Sequence, residues 1–252
     1  MPVPRMPLFS IITVTYNAVD LLPGTIESVL EQRCDDYEYL IFDGASTDGT
    51  ADLVRSYGNR IHHFQSEPDR GLYDAMNKGL RRARGRFVQF LNAGDHLHDR
   101  HVLQRLRDRA DAQTDVLYGE TLVVRADRSP VGLFSEIRPQ KLPRRLHWRS
   151  MRYGMVVCHQ SFLPARALAP EYALDNLAAD IDWIITILKR AEHVVNADTI
   201  LVDFLEGGVS KQRHRESLWG RYAILKRHFG WLPNVLAHGW ITLRAAWFRV
   251  RS

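Results

Sequence analysis

The first hundred residues alternate between short apolar runs and segments with helical spacing, and this alternation constrains the fold more than any other feature. The predicted elements are strands at 9–15, 37–43, 61–65 and 87–91 and helices at 21–32, 50–57 and 72–84. Short apolar runs bounded by turn signals are typical of strands buried in a parallel sheet. Repeated β-α-β units predict an α/β fold, a mostly parallel sheet with helices on both faces.

Polar clusters follow three of the predicted strands. They are Thr15-Tyr16-Asn17, the run from Asp43 to Asp48, and Asn92-Ala93-Gly94-Asp95. In open α/β sheets, ligands bind beyond the carboxyl ends of the strands, which lie at one edge. The sequence therefore predicts a ligand site where these clusters meet.

The predicted site lacks the two commonest phosphate-binding loops. A dinucleotide-binding turn needs Gly-x-Gly-x-x-Gly after the first strand, but residues 15–20 contain no glycine, and a P-loop is also missing. The predicted site has carboxylates instead, and the role of each has two interpretations. Asp43 could accept hydrogen bonds from a base or ribose, or close an Asx turn. Asp95, predicted in an exposed turn, could bridge a divalent cation to a diphosphate, or cap a helix.

Basic residues are concentrated in two segments of this 252-residue chain of net charge +5. Residues 211–252 hold nine Lys or Arg and one acid, and the stretch from Arg138 to Tyr153 has no acid. Such segments suit anionic lipid, phosphate-bearing substrates or nucleic acid, or are simply solvated surface. The two cysteines lack metal-ligand spacing, and no apolar stretch is long enough to cross a bilayer.

Longer stretches of the chain resemble the family 2 glycosyltransferases. The matching stretches are 9–17, 42–50, 66–79, 90–95, 158–160, 179–183 and 207–210. The similarity is greatest to a branch that decorates exopolysaccharides such as colanic acid, or phenolic glycolipids. It implies a GT-A fold with a Rossmann-like sheet, and inverting transfer of one sugar from a nucleotide-diphosphate donor, with a UDP-sugar favoured.

The resemblance also implies roles for individual residues. The predicted nucleotide-binding residues are Thr15, Tyr16, Asn17, Asp43, Asp69, Asn77 and Asn92, with Asp69 and Asn77 along the ribose and diphosphate wall. Asp95 matches the retained acid of a motif that binds Mg²⁺ or Mn²⁺. Because Asn92 and Gly94 stand where the family commonly has acids, we expect metal binding to be weak.

An inverting transfer needs one general base to take the proton of the acceptor hydroxyl. Asp180 matches the family's base position. Asp182, two residues further on, points elsewhere around a helix and is the weaker candidate on the acceptor side; either acid could instead balance the helix dipole. His159 and Gln160 are also predicted on the acceptor side, with a buried, hydrogen-bonded histidine as the alternative.

The chain is predicted to divide into a catalytic domain, 1–210, and a basic, tryptophan-rich helical extension, 211–252. Four of the six tryptophans fall in the extension: Trp219, Trp231, Trp240 and Trp247. That composition is typical of a helix in a lipid interface, although a terminal helix packed on the domain has the same pattern. The implied partners are the nucleotide-sugar donor, a glycan or lipid-linked acceptor and an anionic membrane. We expect the protein in the cytoplasm, at the inner face of the cytoplasmic membrane.

Two other classes of function are compatible with the sequence. A non-catalytic nucleotide-sugar-binding relative is suggested by the missing acids at positions 92 and 94. A nucleic-acid binder is suggested by the isoelectric point of about 9.4, but the chain has no recognisable recognition module, so we expect no nucleic-acid partner.

Overall fold

The computed structural model describes residues 6–138, 140–207, 214–235 and 239–240. The strands are β1 Phe9–Thr15, β2 Tyr37–Asp43, β3 His63–Ser66, β4 Phe87–Phe90, β5 His96–Leu97, β6 Val116–Val124, β7 Pro130–Leu133, β8 Phe162–Pro164 and β9 Val194–Leu205. The helices are α1 Leu22–Leu30, α2 Thr50–Ser56, α3 Leu72–Arg82, α4 Val102–Arg109, α5 Ala179–Leu188 and α6 His214–Phe229.

A four-stranded parallel sheet carries the first half of the chain. Its strand order is β3-β2-β1-β4, and every pairing in it is parallel. The predicted mostly parallel sheet with flanking helices is therefore confirmed. The third strand begins at His63 rather than Ile61, because a 3₁₀ turn at Gly58–Arg60 runs up to that residue.

A second, mixed sheet follows, with strand order β5-β9-β6-β7 and β8 paired to β6. The long strands β6 and β9 run parallel, with register shifts around Glu120, while the other pairs are antiparallel. The sheet brings β9 beside β5, so that Leu205, at the end of β9, lies close to the turn that follows β4.

Both faces of the parallel sheet are covered, as the continuous apolar runs predict. Alternate side chains of β1 and β2 belong to different core clusters. Ile12 and Leu40 pack with α3 and α5, whereas Ile11 and Tyr39 pack with α1 and α4. Gly79 lets α3 lie directly on the sheet, since a Cβ there would collide with Ile12.

The described part of the predicted extension packs on the catalytic domain. Ile224 and Leu225 of α6 are buried in the same cluster as Ile184 of α5. The side chains of Trp219, Trp231 and Trp240 are exposed, and Trp247 lies outside the described residues. None of the helices in the described ranges is long and apolar enough to span a membrane.

Candidate active site

The ends of β1 and β2 bring the first two polar clusters together. Thr15 pairs with Asp43 in the parallel register, and the Gly44 amide donates to the Thr15 carbonyl at 2.9 Å. Asn17 joins the following loops, since its Oδ1 accepts from Thr47 N at 2.9 Å. Asn17 has a φ of 47°, which asparagine tolerates better than most residues.

Asp43 is buried and shapes its own loop. It accepts hydrogen bonds from Ser46 N at 2.9 Å, from the Ser46 hydroxyl, and from Ser66 Oγ at 2.6 Å. The Asx-type turn anticipated as an alternative is thus present. A carboxylate offers about four acceptor positions, so the three donors leave capacity for one hydrogen bond from a ligand.

Three further groups border this edge of the sheet. Tyr16 is 66% exposed, and the buried hydroxyl of Thr15 has no hydrogen-bond partner within the described ranges. A Cβ added to Gly44 would lie 2.6 Å from Asp69 Oδ2 and 3.3 Å from Tyr16 Cδ2. Tyr16 and Asp69 therefore converge on Gly44 at this edge of the sheet.

Asn77 is buried between α3 and the segment that precedes α5. Its buried amide donates to the Tyr172 carbonyl at 2.9 Å and accepts from the Tyr172 amide at 2.7 Å. Both polar groups of the side chain are used in joining α3 to the segment before α5. Sequence spacing could not reveal this backbone partner, and the place of Asn77 on the ribose and diphosphate wall stays a prediction.

Asp95 is buried, not exposed as predicted, with a relative accessibility of 3%. Its Oδ1 accepts from Leu205 N at 2.9 Å and its Oδ2 from Gln160 Nε2 at 3.0 Å. Burial raises the pKa of Asp95 to about 7, against the effect of these hydrogen bonds. The carboxylate is therefore held in place by protein donors on both oxygens.

Asn92 supplies a second oxygen beside Asp95 in the sequence. Its Oδ1 is buried and has no hydrogen-bond partner in the described part of the chain. Among the described residues no group of three or more His, Cys, Asp or Glu could enclose a metal ion. Mg²⁺ is commonly held by one or two protein oxygens plus phosphate oxygens and water, and the pair Asp95 and Asn92 fits that sparse donor set.

His159 and Gln160 lie in the core. His159 Nε2 lies 2.5 Å from the Tyr172 hydroxyl, and its ring stacks on Phe90. Burial lowers the pKa of His159 to about 4, so the imidazole is neutral. Gln160, held at its carbonyl by Gln89 Nε2 at 2.9 Å, orients Asp95. The buried, hydrogen-bonded alternative thus describes His159, and the acceptor-side role of both residues stays a prediction.

Asp180 begins α5 and remains partly accessible to solvent. Desolvation raises the pKa of Asp180 to about 6, against a hydrogen bond from Ile181 N, the charge of Arg221 and the nearby hydroxyl of Tyr73. A general base works best with a pKa near the operating pH. The side chain predicted to be the base thus has a suitable acidity.

Sequence reasoning did not place Tyr73, Arg138 and Arg221 around Asp180. Tyr73 donates to the Leu177 carbonyl at 3.0 Å and stacks on Tyr172. Arg221 of α6 acts electrostatically on both Asp180 and Arg138. The sequence did mark these residues, since Tyr73 lies within the matched stretch 66–79 and Arg138 and Arg221 lie in the basic segments. Neither feature indicates that they lie near Asp180.

Asp182 faces α6. Its Oδ1 lies 2.6 Å from His228 Nε2 and forms an ion pair with Arg227. These contacts hold α6 against α5. The two-residue offset turns the Asp182 side chain toward the neighbouring helix, and its acceptor-side role stays a prediction.

Comparison with known proteins decides the family. The sequence model described as "Glycosyl transferase family 2" matches residues 10–168. The chain belongs to this family. It is 30% identical over 206 residues to a PGL/p-HBAD biosynthesis glycosyltransferase of Mycobacterium tuberculosis, covering 76% of each chain. It is 45% identical over 92 residues to a putative teichuronic acid biosynthesis glycosyltransferase, TuaG, of Bacillus subtilis, covering 35% of this chain and 36% of that protein.

Solved structures confirm the GT-A fold of this glycosyltransferase. TarS 1–349 of S. aureus in complex with UDP-GlcNAc matches 86% of this chain with a TM-score of 0.68 and 18% identity, and this chain spans 66% of that fragment. The mannosyltransferase PcManGT of Pyrobaculum calidifontis, in complex with GDP-Man and Mn²⁺, matches 97% of this chain and 72% of its own, with a TM-score of 0.65 and 20% identity.

Proposed function

We propose that this glycosyltransferase transfers a single sugar, with inversion, from a nucleotide-diphosphate sugar to a hydroxyl of a lipid-linked or polysaccharide-precursor acceptor. The observation that carries the proposal is Asp180, a partly accessible carboxylate at the start of α5 whose pKa is raised to about 6. A carboxylate of that acidity is ionised at neutral pH and is still basic enough to accept a proton.

Asp180 acts as the general base of an in-line displacement. It takes the proton of the acceptor hydroxyl while the hydroxyl oxygen attacks the anomeric carbon. The bond from that carbon to the nucleoside diphosphate breaks on the opposite face, so the configuration inverts. The hydrogen bond from Ile181 N orients the carboxylate for this transfer.

The nucleoside is bound at the edge formed by the ends of β1 and β2. Thr15 and Asp43 offer unfilled hydrogen-bonding capacity, Tyr16 offers an exposed ring, and Asp69 lies beside them. Asn17 positions the loop. A UDP-sugar is favoured as the donor, and the UDP-GlcNAc bound by TarS supports that choice.

Asp95, oriented by Gln160 and Leu205 N, would hold Mg²⁺ or Mn²⁺ together with Asn92. Such a cation, when bound, neutralises charge on the departing diphosphate. The Mn²⁺ in the PcManGT complex supports a divalent cofactor. Because the described residues provide two protein oxygens, we expect its affinity to depend on the nucleotide.

The acceptor is proposed from the character of the relatives. Their names refer to PGL/p-HBAD and to teichuronic acid biosynthesis, which supports a glycolipid or polysaccharide precursor. Such precursors suit a protein at the cytoplasmic face of a membrane. The basic segments favour this location as well.

The test is hydrolysis of a panel of UDP-, GDP- and dTDP-sugars by the full-length protein, with Mn²⁺ or with EDTA. We expect one nucleotide class to be turned over, and Asp180→Asn to lose about 10²–10⁴-fold in rate while UDP still raises its melting temperature. Turnover unchanged in Asp180→Asn would contradict the assignment of the base. Nucleotide binding without turnover in the wild type would favour a non-catalytic nucleotide-sugar-binding relative.

A further inference from the structure

A cavity of about 300 Å³ lies outside the candidate active site, between the 3₁₀ turn Trp148–Tyr153 and the end of α6. Its walls are Trp148, Arg149, Arg152, Tyr153, Phe229 and Pro233. We call it the Trp148–Phe229 pocket. None of these residues contributes to the proposed donor site or base, so the proposed function leaves the pocket unexplained.

The pocket combines an aromatic floor with a cationic rim. The rings of Trp148 and Phe229 stack, with their centroids 5.3 Å apart. The Arg149 guanidinium lies 4.9 Å and Lys189 Nζ 5.0 Å from the centroid of Trp148, and Arg152 lies 5.7 Å from that of Tyr153. Because aromatic rings carry no net charge, these contacts leave the positive charges of the rim unneutralised.

The two arginines of the rim have no carboxylate partner within the described ranges. Arg149 is exposed, and the Nε of Arg152 is buried without a hydrogen-bond acceptor. A buried guanidinium N–H without an acceptor is costly. Both arginines line the pocket, and an anion with several oxygens, such as a phosphate, would pair with their guanidinium charges.

The surroundings of the pocket are largely apolar, and Asp182, the acid that contacts the neighbouring His228, is already paired with it and with Arg227. Trp231 is 62%, Leu232 60% and Val235 41% exposed, and they follow Phe229 directly along the chain. The sequence has no Asp or Glu from 137 to 170 and none from 217 onward. Exposed aromatic and aliphatic side chains among basic ones are suited to the interface of an anionic bilayer.

We propose that the Trp148–Phe229 pocket binds the phosphate headgroup of an anionic lipid and seats the protein on the surface of an anionic bilayer. Lys189 caps the end of α5 and Asp180 lies at its start, so the rim is about 14 Å from the base along the helix axis. That spacing suits an acceptor sugar joined to a lipid at the bilayer surface, a point that rests on the proposed function.

The test is co-sedimentation of the full-length protein with vesicles of phosphatidylcholine alone or mixed with phosphatidylglycerol. We expect binding only to the mixed vesicles, about 30-fold weaker for Arg149→Gln/Arg152→Gln, since each basic residue at such a surface contributes about 1 kcal/mol. The matched control is Arg55→Gln/Arg60→Gln, which removes two exposed arginines that also lie over aromatic rings. We expect the control to bind as the wild type does.

Equal binding to both kinds of vesicle, or equal loss in the control, would overturn the proposal. So would wild-type binding by a folded Arg149→Gln/Arg152→Gln, with Arg149→Gln alone as the second variant if the double variant does not fold. Protection by inorganic phosphate without vesicle binding would mean a free anion instead of a lipid. Donor hydrolysis is measured on the same samples and needs no membrane, so its failure bears on the proposed function alone.

Discussion

At the scale of single residues, the acidity of Asp180 results from opposing effects. Desolvation raises its pKa, while the Ile181 amide, the Arg221 charge and the Tyr73 hydroxyl lower it, and the balance is about 6. A base must be deprotonated to act, so activity should rise with pH through that value and level off above it. The acidic limb of the rate profile therefore reports on Asp180 together with Asp95, the proposed metal ligand, whose pKa burial raises to about 7.

Replacing Arg221 should move that limb. Arg221→Gln removes a positive charge that favours the ionised form of Asp180, so the pKa of Asp180 rises and the acidic limb shifts to higher pH. The measurement is kcat/KM for donor hydrolysis between about pH 5 and 8, the range in which the profile of a base with this pKa changes.

Arg227→Gln serves as the matched control for Arg221→Gln. Arg227 lies on the same helix but pairs with Asp182 rather than Asp180, so its loss should leave the pH profile in place. A profile that is unchanged in Arg221→Gln, or that shifts equally in both variants, would show that Arg221 does not act on the base.

At the scale of elements, the contact between α5 and α6 attaches the start of the predicted extension to the domain. It combines the buried side chains Ile224 and Leu225 with the interaction of Asp182 with His228 and Arg227. This helix also presents Arg221 to Asp180. The docking of α6 thus supports both the base and the Trp148–Phe229 pocket, whose wall includes the end of the helix.

Removing Asp182 should weaken this docking without removing the base. We expect Asp182→Ala to lower the free energy of unfolding by about 1–2 kcal/mol, because a charge-assisted hydrogen bond and a partly exposed ion pair are lost. Urea denaturation measures the loss, and kcat of donor hydrolysis should stay within about threefold of the wild type. A fall in kcat as large as that of Asp180→Asn, in a folded protein, would instead place Asp182 in the catalytic machinery.

At the scale of the whole molecule, one buried carboxylate joins distant parts of the parallel sheet. Glu38 on β2 is 2% exposed and accepts from Ser10 Oγ on β1 at 2.6 Å. It also accepts from the amides of Arg84 and Gly85 before β4, and from the Arg84 guanidinium at 3.1 Å. Although desolvation opposes it, these hydrogen bonds hold the pKa of Glu38 below its ordinary value.

Glu38 should therefore contribute stability that depends on pH. Because its folded pKa is lowered, the contribution is present above the ordinary pKa of a glutamate and is lost as the pH falls through the folded value. We expect Glu38→Gln to cost about 1–3 kcal/mol at neutral pH and to reduce the loss of stability on acidification. Urea titrations at several pH values measure both effects.

The exposed pair of Asp52 and Arg55 provides the comparison for Glu38. We expect Asp52→Ala to change the free energy of unfolding by about 0.5 kcal/mol or less. A comparable effect of the two substitutions at neutral pH would contradict the role given to Glu38.

The sequence by itself determined the parallel half of the fold and the residues at its edge. The strands β1, β2 and β4 could be predicted because a buried strand is recorded locally, as a short apolar run with turn residues after it. The same local pattern placed Thr15 and Asp43 at the ends of their strands, and in the structure these two residues pair in register. The match to a family also predicted Asp180, whose position at the start of a helix is again local.

Only the tertiary structure decided which partners the polar side chains have within the protein. Asp95 is buried by Leu205, 110 residues further along the chain, and Asn77 is occupied by Tyr172, 95 residues away. Asp182 is turned toward His228, 46 residues away. Periodicity and turn chemistry act over about a dozen residues, whereas burial and hydrogen bonding depend on which distant segments the fold brings into contact.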